Sequence, residues 1–204
     1  MGTTEVIRVG PSGALRLILD RALAFLRRGE LIAFPTETVY GIGGSAGCPG
    51  TAPALARLKG RDPNKPFQAL ISSEDQVRAL GYSFPTWARA LTTRWWPGPL
   101  TLVLSNEKGE TQGFRAPRHP AVLALIELLG QPILASSANR AGGADALSAR
   151  DLIRTFSTEI PLVVDGGPAR LGRPSTVVDA SSTEPRILRE GAISVAEILG
   201  AIGL

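Results

Sequence analysis

Apolar and polar positions follow two periods along the chain, and they alternate from end to end. Val6-Ile7-Arg8-Val9 reads as a first strand. Leu15, Ile18, Leu19, Ala22, Phe25 and Leu26 fall on one helical face, with Ser12 placed to cap the helix and Gly29 to end it. The apolar run Leu31-Ile32-Ala33-Phe34 predicts a buried strand. A helix over 51–59 leads into a basic turn, and Phe67 to Ile71 is a strand. Ser72 or Ser73 caps a helix through Leu80, stopped by Gly81. A helix over 85–95 ends before Pro97-Gly98-Pro99. Strands follow at Leu100 to Leu104 and Gly113 to Ala116. Pro120 opens a helix closed by Gly130. Ile133 to Ala135 is a strand, and Ser148 caps a helix through Phe156. Leu162 to Asp165 and Thr176 to Asp179 are strands, Arg189 closes another, and Ser194 caps a last helix. Segments 106–112 and 140–146 read as loops.

No linker-like stretch, repeat or low-complexity segment divides the 204 residues. The expectation is one α/β domain spanning 1–204. Short strands and irregular connections predict a mixed, strongly twisted sheet flanked by helices, not a regular doubly wound one. A hydrophobic fraction of 44% supports a sizeable core. No apolar run reaches the ~18 residues that span a bilayer, and the N-terminus lacks the order of a signal peptide. A single cysteine, Cys48, allows no internal disulfide, and one cysteine with one histidine does not supply a structural zinc site. No metal site and a cytoplasmic location are expected. The net charge of +4 suits an anionic small molecule or a weak approach to nucleic acid. Aromatics at 5% and the lack of a basic block do not mark a committed nucleic-acid binder.

Polar residues cluster where apolar runs stop. After Phe34 the chain runs Pro35-Thr36-Glu37-Thr38-Val39-Tyr40-Gly41, with further glycines at 43 and 44. A strand end that delivers hydroxyls, a carboxylate and a phenol, with glycines for close backbone approach, is a common way to build a ligand site. Lys59, Arg61 and Lys65 put three cations in one short stretch. They repel one another unless an anion, phosphate above all, or water lies among them. A solvated turn after a helix explains the same residues equally well. Ser136-Ser137-Ala138-Asn139 can bind a phosphate or carboxylate, or merely satisfy backbone groups in a turn. Arg115 is suited to hold a carboxylate with its planar fork. His119, before a proline, reads as a capping or core-edge residue. The chain has neither a Walker loop nor a dinucleotide fingerprint.

Seven segments in one order resemble the YrdC/Sua5 family of threonylcarbamoyl-AMP synthases. They are 34–41, Lys59-Gly60-Arg61, Trp96-Pro97-Gly98-Pro99-Leu100-Thr101, 115–120, 136–139, Gly172-Arg173-Pro174-Ser175-Thr176-Val177 and Leu188-Arg189-Glu190-Gly191. The chain looks like the short bacterial form, a single YrdC-like domain. The resemblance implies a concave basic cleft and a nucleotidyl transfer. L-threonine, bicarbonate or CO2, and ATP would give threonylcarbamoyl-AMP, pyrophosphate and water. The product would pass to a separate tRNA threonylcarbamoyl transferase complex that makes N6-threonylcarbamoyladenosine. By the same resemblance Lys59 and Arg61 are catalytic. Arg61, Lys65, Thr111, Asn139 and Arg189 would contact ATP, with Mg2+ on its phosphates. Thr36, Thr38, Tyr40, Arg115, Ser137 and Ser175 would surround threonine. Asp62, Leu70 and Arg173 depart from the residues common in relatives. The competing readings are an RNA-binding module with weak tRNA contact, a related carbamoyl-adenylate enzyme, and an inactive paralogue.

Overall fold

The structure is a computed structural model that describes residues 3–9, 14–62 and 64–204. Its elements run β1 (Glu5–Arg8), α1 (Ala14–Arg27), β2 (Ile32–Phe34), β3 (Gly41–Ser45), α2 (Thr51–Lys59), β4 (Gln68–Leu70), α3 (Glu74–Ala79), α4 (Ala88–Trp95) and β5 (Leu100–Ser105). Then come β6 (Thr111–Arg115), α5 (Pro120–Leu129), β7 (Ile133–Ser137), α6 (Ala149–Phe156), β8 (Leu162–Asp165), β9 (Thr176–Asp179), β10 (Arg186–Arg189) and α7 (Val195–Ala201). The strands form one twisted open sheet in the order β1-β8-β2-β3-β7-β4-β6-β5-β9-β10. It is mixed. β1 and β2 flank β8 in parallel, and β4 pairs β6, and β5 pairs β9, in parallel; the other neighbours are antiparallel.

Side chains alternate across a strand, so each strand feeds two cores. Ile32 and Phe34 of β2, with Leu162 and Val164 of β8, pack under α1 and α5. Ala33 and Val163 point the other way and pack under α2 and α6. In the other half of the sheet, Ala69, Leu100, Leu102, Leu104, Phe114 and Val178 pack with Val77 of α3, Ala88 and Leu91 of α4 and Ile198 of α7.

The helix ends follow local chemistry. The Ser148 hydroxyl accepts from the Asp151 N–H, and Ser194 with Glu197 closes a capping box. Pro120 opens α5, and Gly130, at φ 73°, ends it. Gly60 ends α2 at φ 63°, in the left-handed region where a side chain is strained, and turns the chain between Lys59 and Arg61. Ser12 lies outside the described residues.

Three differences from the sequence pattern have physical causes. Leu15 sits on the first turn of α1 and is exposed, while Leu23 joins the core. β6 begins at Thr111, inside the segment read as a loop, because Thr111 pairs with Ser105 across the antiparallel ladder. The strand β3 is the third. Glycine is a poor strand former, yet the ladders to β2 and β7 hold Gly41 to Ser45 extended. A Cβ on Gly43 would lie 2.6 Å from the Leu134 carbonyl, and one on Gly44 2.9 Å from Thr51 Cγ2. Those two glycines serve packing, not ligand approach.

Candidate active site

The unpaired half of the alternation makes the site. Gln68 and Leu70 of β4, Thr101 and Val103 of β5, Thr111, Gly113 and Arg115 of β6, and Val177 of β9 face away from the α3/α4/α7 core. They form the floor of a cleft of about 310 Å³. Its walls come from 34–41, Arg61 with Pro66 and Phe67, Ala135 to Ser137 of β7, and Pro174, Ser175, Leu188 and Arg189. This size and mixed lining suit a small molecule.

The 36–40 segment is braced by its own polar groups. Thr36 Oγ1 donates to the Val39 carbonyl at 2.6 Å and lies 2.8 Å from Thr38 Oγ1. Glu37 is buried; its Oε2 accepts from the Arg118 N–H at 3.0 Å, and its Oε1 lies 2.9 Å from Arg115 Nη2. Glu37 and Arg115 form a buried ion pair that is not aligned as a hydrogen bond. Tyr40 borders the cleft, but its side chain is buried in the core under α2 and α6, where its hydroxyl donates to the Gly167 carbonyl at 2.7 Å. Burial and the nearby Asp165 carboxylate push the Tyr40 pKa up to about 12.

The Lys59 ammonium, 5% exposed, is fully engaged. It donates to the Ser137 carbonyl at 2.5 Å, the Asn139 carbonyl at 2.8 Å and Asn139 Oδ1 at 2.5 Å. Burial lowers its pKa to about 8; Asp145 opposes the shift and Arg61 adds to it. Asn139 Nδ2 donates to the Gly143 carbonyl, and its Oδ1 also accepts from Ser137 Oγ at 2.9 Å. The two polar clusters, 78 residues apart, are therefore one structure. Arg61 stacks over Phe67 at 4.3 Å and donates to the Pro66 carbonyl, which holds its guanidinium at the cleft wall.

Across the cleft, Arg189 donates to the Ser175 carbonyl at 2.8 Å and reaches Ser175 Oγ at 3.3 Å. Ser175 Oγ lies 2.8 Å from Thr101 Oγ1, which donates to Gln68 Oε1 at 3.0 Å. Arg115, 3% exposed, also donates through Nε to the Gly98 carbonyl. Burial lowers the pKa of Arg61, Arg115 and Arg189 from the usual arginine value.

Arg61, Thr111, Arg189, Thr36, Thr38, Tyr40, Arg115, Ser137 and Ser175 all line the cleft. Lys59 and Asn139 stand behind it and join it through Ser137. Lys65 is exposed and lies outside the lining. Asp62 forms no ion pair with Arg61 or Lys65 among the described residues; its Oδ1 accepts from the Asn64 N–H. Leu70 lines the floor, and Arg173 is exposed. His119 sits at the N-cap of α5 with Nδ1 buried and unpaired, and burial lowers its pKa. Gln68 was not singled out by the sequence, and Thr101 entered only as the last residue of a family segment, with no role. Their period-2 placement opposite buried Ala69 and Leu102 is the signal that finds them. Among the described residues no group of three or more His, Cys, Asp or Glu could hold a metal ion, and no helix is long and apolar enough to cross a membrane.

A mixed sheet with helices on both faces of one half, and in the other half helices on one face and an arginine- and hydroxyl-lined hollow on the opposite one, defines an α/β small-molecule site. Comparison with known proteins narrows the class. Residues 24–191 match the Sua5_yciO_yrdC family, described as Telomere recombination. The Threonylcarbamoyl-AMP synthase of Pyrococcus abyssi is 39% identical over 89% of this chain, and the chain spans 56% of that relative. The protein of the same name from Chromohalobacter salexigens is 36% identical over 80% of this chain and is covered over 92% of its own length. The crystal structure of P. abyssi Sua5 complexed with L-threonine superposes with a TM-score of 0.91 at 37% identity, covering 98% of this chain and 61% of that one. The chain belongs to the Sua5/YciO/YrdC family.

Proposed function

We propose that the chain is an L-threonylcarbamoyladenylate synthase that makes threonylcarbamoyl-AMP, pyrophosphate and water from L-threonine, bicarbonate or CO2, and ATP. One observation carries the reading. Every segment of the family pattern, from 34–41 to 188–191, contributes at least one residue to the same cleft. The names of the relatives and the threonine-bound Sua5 structure support it.

Threonine is a zwitterion with a hydroxyl. Arg115, whose Nη2 lies against Glu37 without an aligned hydrogen bond, lines the cleft and suits its carboxylate. Thr38, Ser137 and Ser175 suit its donor groups, and Thr36 and Tyr40 form the wall. Arg61 and Arg189 face the ATP phosphates, with Thr111 and Lys65 toward the rim and Asn139 behind. Mg2+ enters on the nucleotide.

Bicarbonate supplies CO2 as water leaves, and the threonine amine, giving up a proton, adds to CO2 to give a carbamate. A carbamate oxygen then attacks the α-phosphorus, and pyrophosphate leaves. Fixed positive charge from Arg61 and Lys59 stabilises the charge that develops there, and positioning supplies the rest. No covalent enzyme intermediate is needed. The product goes to a separate transferase complex that modifies tRNA, which places the work in the cytoplasm.

The test is pyrophosphate release from ATP, bicarbonate and Mg2+ with threonine, with serine, or with neither. Release that depends on threonine supports the synthase. Equal release without it overturns the reading.

A further inference from the structure

Hydroxyls can donate or accept, and what a site selects depends on where their protons are held. At two hydroxyls of this cleft the partners fix the proton, and at a third it follows from the Gln68 amide turning Oε1 to Thr101. Thr36 Oγ1 lies 2.6 Å from the Val39 carbonyl, which only accepts, so Thr36 donates there. The 2.8 Å contact between Thr36 and Thr38 therefore takes its proton from Thr38. Asn139 is oriented by a donor-only ammonium on Oδ1 and a carbonyl on Nδ2, so Ser137 must donate to Oδ1. Ser175 Oγ faces Arg189, which only donates, at 3.3 Å, and Thr101, whose own proton goes to Gln68 Oε1. Ser175 therefore donates to Thr101.

We infer that Thr36, Asn139 and Thr101 are positioning residues that turn Thr38, Ser137 and Ser175 into acceptors toward the cleft. The hydroxyl wall then admits the N–H or O–H end of a ligand and disfavours an anion. The anionic end is left to the arginines. The cleft thus reads the orientation of a primary amino acid by hydrogen-bond polarity as well as by charge. The identity of that amino acid rests on the threonine reading above; the polarity does not.

The experiment uses Thr101→Val, Thr101→Ser and Gln68→Leu. L-threonine and its deaminated analogue 3-hydroxybutanoate are titrated by calorimetry, and pyrophosphate release is followed in parallel. Thr101→Val removes the acceptor for the Ser175 proton. Gln68→Leu removes the acceptor for the Thr101 proton, which then turns to Ser175 and displaces the Ser175 proton toward the cleft. Both variants should weaken threonine binding by about tenfold and narrow the preference for threonine over the analogue by a similar factor. Their maximal turnover should change far less than KM. Thr101→Ser should restore wild-type values.

Unchanged selectivity in Gln68→Leu, or no rescue by Thr101→Ser, would overturn the inference, because a purely structural loss has no reason to follow proton direction. Threonine binding without pyrophosphate release would remove the synthase reading and leave the polarity judged on affinity alone. Tighter binding of the analogue than of threonine by the wild-type protein would refute the polarity directly.

Discussion

Replacing Lys59 with methionine keeps most of the side chain's apolar length and removes its ammonium. The structure gives the cost. Lys59 Nζ serves two backbone carbonyls and Asn139 Oδ1, all at 2.8 Å or less. Each buried bond lost is worth about 1 kcal/mol net, and an acceptor left dry costs more. Water from the cleft can reach part of the site, so about 3 kcal/mol is expected for the variant. For a chain of this size that is a fall in Tm of roughly 6–12 °C. The loss should appear in urea titrations as a lower midpoint at unchanged slope, since the compactness of neither state changes. Turnover should fall as well, because Ser137 and Asn139 lose their anchor. A Lys59→Met protein with stability within 0.5 kcal/mol of wild type, a threshold set at about half of one bond, would refute this account of the lysine.

Glu37→Gln should destabilise by about 3 kcal/mol, because it strips the buried Arg115 of its anionic neighbour, and urea unfolding measures it. Arg61→Ala should raise the KM for ATP at least about tenfold while threonine affinity stays near wild type, since a lost charge-assisted contact costs about 1.5–3 kcal/mol; calorimetry with each ligand separates the two. The Tyr40 pKa is raised above its unfolded value, so its contribution to stability is full below about pH 10 and is lost as pH rises through about 12. The stability difference between wild type and Tyr40→Phe should shrink over that window and be flat from pH 7 to 9, as read from unfolding curves.

Helices and apolar strands were legible because their signals are local. Pro120 and Gly130 bracket α5, Ser148 and Ser194 cap their helices, and the Leu31 to Phe34 run is a buried strand. β3 was not legible, because its glycines carry no strand signal and are held by ladders to β2 and β7, contacts remote in sequence. The site was legible as separate polar clusters, and the resemblance joined them. What the sequence could not supply was direction. Nothing local says that Lys59 turns its ammonium onto Ser137 and Asn139, or that Glu37 lies against Arg115. Gln68 and Thr101 were given no role because alternation shows which residues share a face only once the covered face is known.

If the cleft seats threonine beside ATP so that a carbamate meets the α-phosphate, the carbon of bicarbonate ends in the adenylate. Isotopically labelled bicarbonate tests it most directly. Label should appear in an adenylate product that forms only when threonine and ATP are both present. Label in that product without threonine, or pyrophosphate released with no label captured, would contradict it.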